Sequence, residues 1–411
     1  MNRLAKIALI SLSALIFGYA GLGHVLGKRG DDKTYRSLTV YGEVLEKIQQ
    51  DYVDTPNMHL VTAGSLHGLL ESLDPQSSYL TPREYTEYKQ KLQNLGVGET
   101  GLTLSKRFGY IVVISVLPES PTQKAGFHSA DIFESIAGFS TRDMSVGQAL
   151  NLLSGTPGTG VKVSVIRRGR SEPQETELVR EKLAPQKLVA VKADPETLVL
   201  RIPALDAGRA NEVRERLLQA EKQGARKVVL DVRDCGRGEV SEAIALARLF
   251  VPAGTLATLQ GQTVSRQVFS AEPAKLAWKQ PVSVLISTTT AGAAEVFAAA
   301  MAANHRGDLV GERTFGLASE QKLIPLEDGS AIILTVANYS NPDGKPILED
   351  GVTPTEVVRA GADAGDADLA DGEAAAPAPK EAAAEPRPLS PEDPILRKAL
   401  ELLKAPAKKA A

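Results

Sequence analysis

A multidomain chain combining α/β and α+β units is what this sequence predicts, and three features predict it. Strand-like and helix-like segments alternate from Leu183 to Arg359, the pattern of a parallel sheet with helices packed on it. Short β-prone runs with few helices fill Gly96 to Lys182, as expected of a smaller α+β unit. Helical periodicity dominates residues 35–95, and 411 residues at 43% hydrophobic can bury more than one core.

The elements follow in order. Arg3 and Lys6 precede an apolar run from Ile7 to Val25, and Lys28 and Arg29 follow it. Residues 1–29 therefore read as a signal peptide or a signal anchor, with Gly18-Tyr19-Ala20 as a small-x-small cleavage site. This places the rest of the chain in the cell envelope, on the periplasmic or extracytoplasmic side, anchored to the cytoplasmic membrane by residues 7–25. Val40, Val44, Leu45 and Ile48 recur at helical spacing, as do Leu60, Ala63, Leu66, Leu69 and Leu70. Leu73 to Leu80, with Pro75, reads as a corner between helices.

In the second unit, Tyr110 to Val116 is strongly β-prone. Ser120-Pro121 opens a short helix that Gly126 closes, and Asp131 to Gly138 gives a strand and turn. Ser145 to Leu153 is an amphipathic helix, and Val161 to Arg168 alternates as a strand. In the third unit, Leu198–Ile202, Lys227–Val232, Val282–Ile286 and Ala331–Tyr339 read as strands. Ala207–Gln223, Val240–Phe250 and Ala293–Ala303 read as helices. Beyond Arg359, residues 360–388 are rich in alanine, proline and acids and read as a disordered linker. Residues 389–411 regain an amphipathic helix through Ile395, Leu396, Ala399, Leu400 and Leu403, which docks on the main body or meets a partner, then a basic tail.

Composition excludes several classes. A net charge of −3 gives no general reason to expect a nucleic-acid partner. The single cysteine, Cys235, rules out an intramolecular disulfide framework, and after a buried strand it reads as a passive core residue. His24, His59, His67, His128 and His305 are scattered without metal-site spacing, so neither a metal nor a cofactor is expected.

Several runs, in order, resemble the tail-specific, or C-terminal processing, serine peptidases, from about Tyr35 to Val358. The first is Leu73-Asp74-Pro75-Gln76-Ser77-Ser78-Tyr79-Leu80. The element order of residues 96–182 is similar to a PDZ domain. Such domains bind extended peptide C-termini by adding a strand to a sheet edge while loop amides hold the carboxylate. The resemblance puts that loop at Gly101-Leu102-Thr103-Leu104. Thr103 and Ala130 replace family glycines, and a Cβ at Thr103 is expected to hinder close backbone approach.

Residues 183–359 resemble the tail-specific protease core. Leu230 to Gly238 looks like the strand and turn that help form the oxyanion hole. The resemblance implies Gly236, Arg237, Gly238 and Ala293 there, with Cys235 and Arg237 departing from the small, glycine-rich pattern. Family members carry Ser-Ala-Ser-Ala-Ser-Glu at the next helix start. Aligned on Glu295, the nucleophilic middle serine falls on Gly292. In Val310-Gly311-Glu312-Arg313-Thr314-Phe315-Gly316-Leu317 the family's lysine base falls on Leu317, while the glutamine that orients it remains as Gln321. The runs Tyr339 to Ile347 and Gly351 to Pro354 complete the match.

A serine–lysine dyad needs a hydroxyl to attack and a neutral amine to take its proton. Glycine and leucine offer neither. Thr290 reads as a helix cap, Lys322 as pointing off the Leu317 face of its strand, and Ser319 as lacking a base. The expectation is a pseudoprotease that binds polypeptide C-termini or unfolded protein tails without cutting them. An active peptidase relative or an adaptor is a further partner class, and homo-oligomerisation stays open. The alternatives are an active serine-type endopeptidase with a relocated nucleophile, and a structural scaffold without peptide binding.

Overall fold

The computed structural model describes residues 32–93, 97–142, 144–167, 170, 172–359 and 393–404. The expected signal or anchor at 1–29, the linker at 360–388 and the tail beyond Lys404 lie outside these residues. Among the described residues no helix is long and apolar enough to cross a membrane. The chain divides into two compact units, Met1–Ser65 and Leu66–Ala411. Helix α1 (Asp32–Asp51) belongs to the first, and α2 (Met58–Glu71) begins there with Asn57 Oδ1 accepting from the amides of His59 and Leu60. None of residues 36–65 is buried.

The second unit opens with β1 (Ser78–Leu80) and α3 (Pro82–Gln93). Thr81 and Glu84 cap α3 reciprocally, Thr81 N–H donating to Glu84 Oε2 at 2.8 Å and Glu84 N–H to Thr81 Oγ1 at 3.4 Å. The expected corner at Leu73–Leu80 is corrected here: it ends in a strand, Ser78 to Leu80 pairing antiparallel with Ile333 to Ala331. Asp74 makes the turn by accepting from the amides of Gln76 and Ser77, and the buried Ser77 to Leu80 then follow the sheet rather than local propensity.

Next come β2 (Leu102–Arg107), β3 (Tyr110–Val116), α4 (Pro121–Lys124), β4 (Ile132–Ile136), β5 (Phe139–Ser140), α5 (Val146–Leu153), β6 (Gly160–Ile166) and β7 (Gln174–Val179). They form an antiparallel sheet in the order β2-β3-β4-β6-β7, with β5 beside β4. Ile111, Val113, Phe133, Ile136, Val163 and Val165 bury one face against Ala149 and Leu153 of α5. Ser145 and Gln148 cap α5 reciprocally. Strand β2 stands at an edge of this sheet.

The largest core is built from β8 (Val189–Asp194), β9 (Thr197–Arg201), α6 (Arg209–Lys222), β10 (Lys227–Asp231), α7 (Val240–Arg248), β11 (Thr255–Gln260), β12 (Gln267–Ser270), β13 (Val282–Ile286), α8 (Ala293–Ala303), β14 (Asp308–Gly311), β15 (Ser319–Pro325), β16 (Ala331–Ser340), β17 (Glu356–Val357) and α9 (Pro394–Lys404). A six-stranded sheet runs β17-β14-β13-β10-β9-β8, parallel except for the antiparallel pair β8–β9. Alternate residues face opposite layers. Leu198, Leu200, Val228, Leu230, Val284 and Ile286 pack with α6, α7 and α8, whereas Val199, Val229, Leu285 and Val310 pack with Ile395, Leu396, Ala399 and Leu403 of α9. Burial on both faces explains why these strands read as unbroken apolar runs.

A third sheet, β1-β16-β11-β12 with β15 also on β16, was not expected as a sheet; of its strands the sequence shows only β16 clearly. Helix α6 starts two residues later than expected, after Gly208 at φ +86°, and α7 stops at Arg248 rather than Phe250.

Candidate functional site

Position 292 lies where β13 turns into α8. Gly292 has φ +62° and ψ −121°, a backbone conformation that L side chains rarely adopt, although a Cβ there would meet nothing within 4 Å. The turn before it is tied down by hydroxyls. Thr290 Oγ1 donates to Val232 O at 3.0 Å and accepts from Ser287 N–H at 3.1 Å. Thr289 Oγ1 donates to Asp234 Oδ1 at 2.8 Å. Thr290 is fully buried and its hydroxyl is committed to backbone, the arrangement of a turn residue.

Position 317 is fixed from the same side by Glu295, in the first turn of α8. Its Oε2 accepts from the amides of Gly292 at 2.8 Å and Leu317 at 2.7 Å, and its Oε1 from Gly316 N–H at 2.6 Å and from the Thr314 hydroxyl. Burial pushes the carboxyl above its ordinary range, opposed by these four donors. Glu295 was used in the sequence only to align the run. Its position three residues past a helix-opening glycine is the capping signal that could have revealed this clamp.

The turn after β10 faces Gly292. Gly236 and Arg237 line the same cleft, whereas Gly238 packs against Leu205 through a parallel bridge and Ala293 is buried behind it. Arg237 pairs with Glu99 at 2.6 Å, and its Nε lies 3.7 Å from Asp206. A Cβ at Gly236 would fall 2.2 Å from Ser115 Oγ and 2.7 Å from Thr103 Oγ1. The antiparallel unit thus leans on this turn through both β2 and β3. Thr103 Oγ1 donates to Gly236 O at 3.1 Å, so its side chain ties β2 to the turn after β10. Neither the Glu99–Arg237 pair nor the Thr103 bond has a sequence signal, since each joins segments more than 130 residues apart.

One cleft of about 1070 Å³ joins these parts. Gly101, Leu102, Thr103 and Leu104 line one end with Val146 and Leu150 of α5, and Gly236, Arg237, Gly292, Leu317 and Gln321 line the other. Alternate residues Leu317, Ser319, Gln321 and Leu323 line it and Lys322 does not, as strand alternation requires. Gln321 is in place, but its amide donates to Gln76 O at 3.4 Å. The cleft's cations are engaged: Lys91 Nζ donates to Asn151 Oδ1 at 2.6 Å, and Arg237 is paired. Cys235 is fully buried, does not line the cleft, and its thiol is pushed up to about 12 by burial. Ala130, the other replaced glycine, keeps a glycine-like φ of +67°.

Comparison with known proteins agrees with this architecture. Residues 196–358 match peptidase family S41. The chain is 30% identical over 325 residues to the carboxyl-terminal-processing protease of Synechocystis, covering 76% of this chain and 74% of that protein. It is 28% identical over 362 residues to the carboxy-terminal processing protease CtpA of Bacillus subtilis, covering 86% of this chain and 77% of that one. The photosystem II D1 C-terminal processing protease superposes with a TM-score of 0.65 at 24% identity, over 78% of this chain and 92% of that one, which shows a shared fold. Sequence, fold and cleft converge on one assignment: this chain belongs to the carboxyl-terminal-processing protease family.

Proposed function

We propose that this chain is a non-cutting member of its family, a pseudoprotease that captures the C-terminal tails of polypeptides. One observation carries the reading: Glu295 holds the amides at 292 and 317 in place, while the side chains there supply neither an attacking atom nor a proton acceptor. The nearest candidate substitutes are engaged, Thr290 with backbone and Cys235 in the core. Loss of either dyad member alone removes nearly all of the covalent route.

Residues 96–182 act in this reading as a PDZ domain, and 183–359 as a protease core retained for binding. The open edge of β2 beside α5 supports strand addition by an incoming tail, with Gly101 to Leu104 receiving its carboxylate. The relatives' names, carboxyl-terminal and carboxy-terminal processing proteases, agree with tails as the ligand class. The basic-flanked apolar segment at residues 7–25 supports a location on the outer side of the cytoplasmic membrane.

The purified full-length chain, incubated with an unfolded protein ending in apolar residues, should bind it and leave it intact. Polarisation with a labelled tail peptide should lose most of its signal when the peptide's carboxylate is amidated. Time-dependent cleavage that co-purifies with the chain would overturn the reading in favour of a relocated nucleophile. Absence of tail binding would leave only a scaffold.

A further inference from the structure

The cleft changes character where the dyad was lost. Leu317, two residues before β15, presents a half-buried apolar side chain to the cavity that contains Gly292, and the paired Leu323 of β15 and Ile333 of β16 line the same cavity six residues further along. At Gly292 the missing side chain leaves room, since a Cβ would meet no atom within 4 Å. The amide of Leu317 is pinned to Glu295 at 2.7 Å, so its isobutyl group projects from a fixed backbone rather than a loose loop. Where a lysine would bring a charge, this chain puts a hydrocarbon wall, and the space across from it is unfilled.

We infer that the vacated catalytic centre is a side-chain pocket, which takes one large apolar residue of a bound polypeptide upstream of its C-terminal carboxylate. This rests on the tail-capture reading and names its specificity. The cavity is continuous from the edge of β2, where Leu102 and Leu104 lie, to Leu317, so an extended chain paired on that edge leads toward the pocket. An extended strand covers about 3.3 Å per residue, so the apolar residue falls several positions before the terminus rather than at it. A hollow against the Leu317 side chain is filled favourably by a leucine-sized group and unfavourably by an amide or a charge. An active enzyme could not place a wall there without losing its base. A chain that does not cut can.

The test uses the full-length chain and fluorescent peptides of ten residues with a free carboxylate and an alanine–serine body. A single leucine, or a single asparagine, is moved through each upstream position. Wild type should prefer leucine over asparagine by about tenfold at one or two adjacent upstream positions, within what burying one such side chain supplies. That ratio should collapse to about one in Leu317→Gln and persist in Ile333→Thr, whose partner Leu323 is six residues along the chain from Leu317. A photoreactive leucine at the preferred position should label Leu317 or the residues beside it in the unaltered chain, read by mass spectrometry. If wild type binds none of the peptides, tail capture itself fails. If it binds them but shows no upstream preference, keeps the preference in Leu317→Gln, or takes the photolabel only away from Leu317, tail capture stands and the pocket is refuted.

Discussion

The amides of Gly292 and Leu317 donate to the same oxygen, Glu295 Oε2, at 2.8 and 2.7 Å. The two positions that the family resemblance aligns with a dyad are therefore held in register by a third residue. Replacing Glu295 by glutamine puts an NH2 group where only an acceptor fits, so Glu295→Gln should destabilise the fold by about 2–3 kcal/mol in urea unfolding at neutral pH. The pH dependence has a definite sign. Because burial raises the folded-state value above the ordinary 4.5, the stability tied to this proton is complete below about pH 4.5 and is lost as pH rises through the folded value. Unfolding curves from pH 4 upward should show a shallower decline for Glu295→Gln than for wild type.

Gly292 keeps a strained backbone without a side chain to exploit it. A Cβ has room there, so the cost of Gly292→Ala is conformational alone, and about 1–2 kcal/mol of stability should be lost with no change in overall fold. A loss below a few tenths would mean the turn relaxes to another conformation, which circular dichroism and hydrogen exchange at α8 would register.

In the pseudoprotease reading, cleavage needs both a nucleophile and a base put back. Gly292→Ser with Leu317→Lys supplies a hydroxyl and an amine at two backbone positions already fixed by Glu295, and slow cleavage of a tail substrate should follow. Either change alone should give none. Silence in the double variant would point to the turn at Arg237, whose tethers to Glu99 and Asp206 are features of this chain.

Cys235 should behave as a core residue. With the thiol pushed up to about 12, the native chain should resist alkylation by iodoacetamide at pH 8 and be labelled fully in denaturant. Rapid native labelling would reopen the case for a thiol nucleophile.

Arg233 should anchor the last helix. It pairs with the fully buried Asp231 at 2.8 Å and with Asp393, just before α9, at 2.7 Å. Arg233→Ala leaves a buried carboxylate without its cation and should cost about 3 kcal/mol. Asp393→Asn should cost well under that and mainly speed amide exchange within α9.

The central strands and helices were legible because burial on both faces writes continuous apolar runs, as at Val228 to Leu230 and Val282 to Ile286. The positions of Gly292, Leu317 and Gln321 in one cleft followed from ordered motifs. What escaped were features set by distant partners. Ser78 to Leu80 becomes a strand only because β16 lies beside it, and Gln267 to Ser270 only because β11 does. Thr103 sits on Gly236 for the same reason: the contact belongs to β2 and the turn after β10 together and to neither local sequence.

The absent hydroxyl at position 292 also removes a clock. In a hydrolase, bond scission ends each encounter and clears the cleft for the next. In the tail-capture reading only dissociation would do so, and residence time would be governed by the strand edge of β2 and whatever else the guest touches. Occupancy would then track the concentration of tails outside, as in a receptor at equilibrium, with no turnover to saturate.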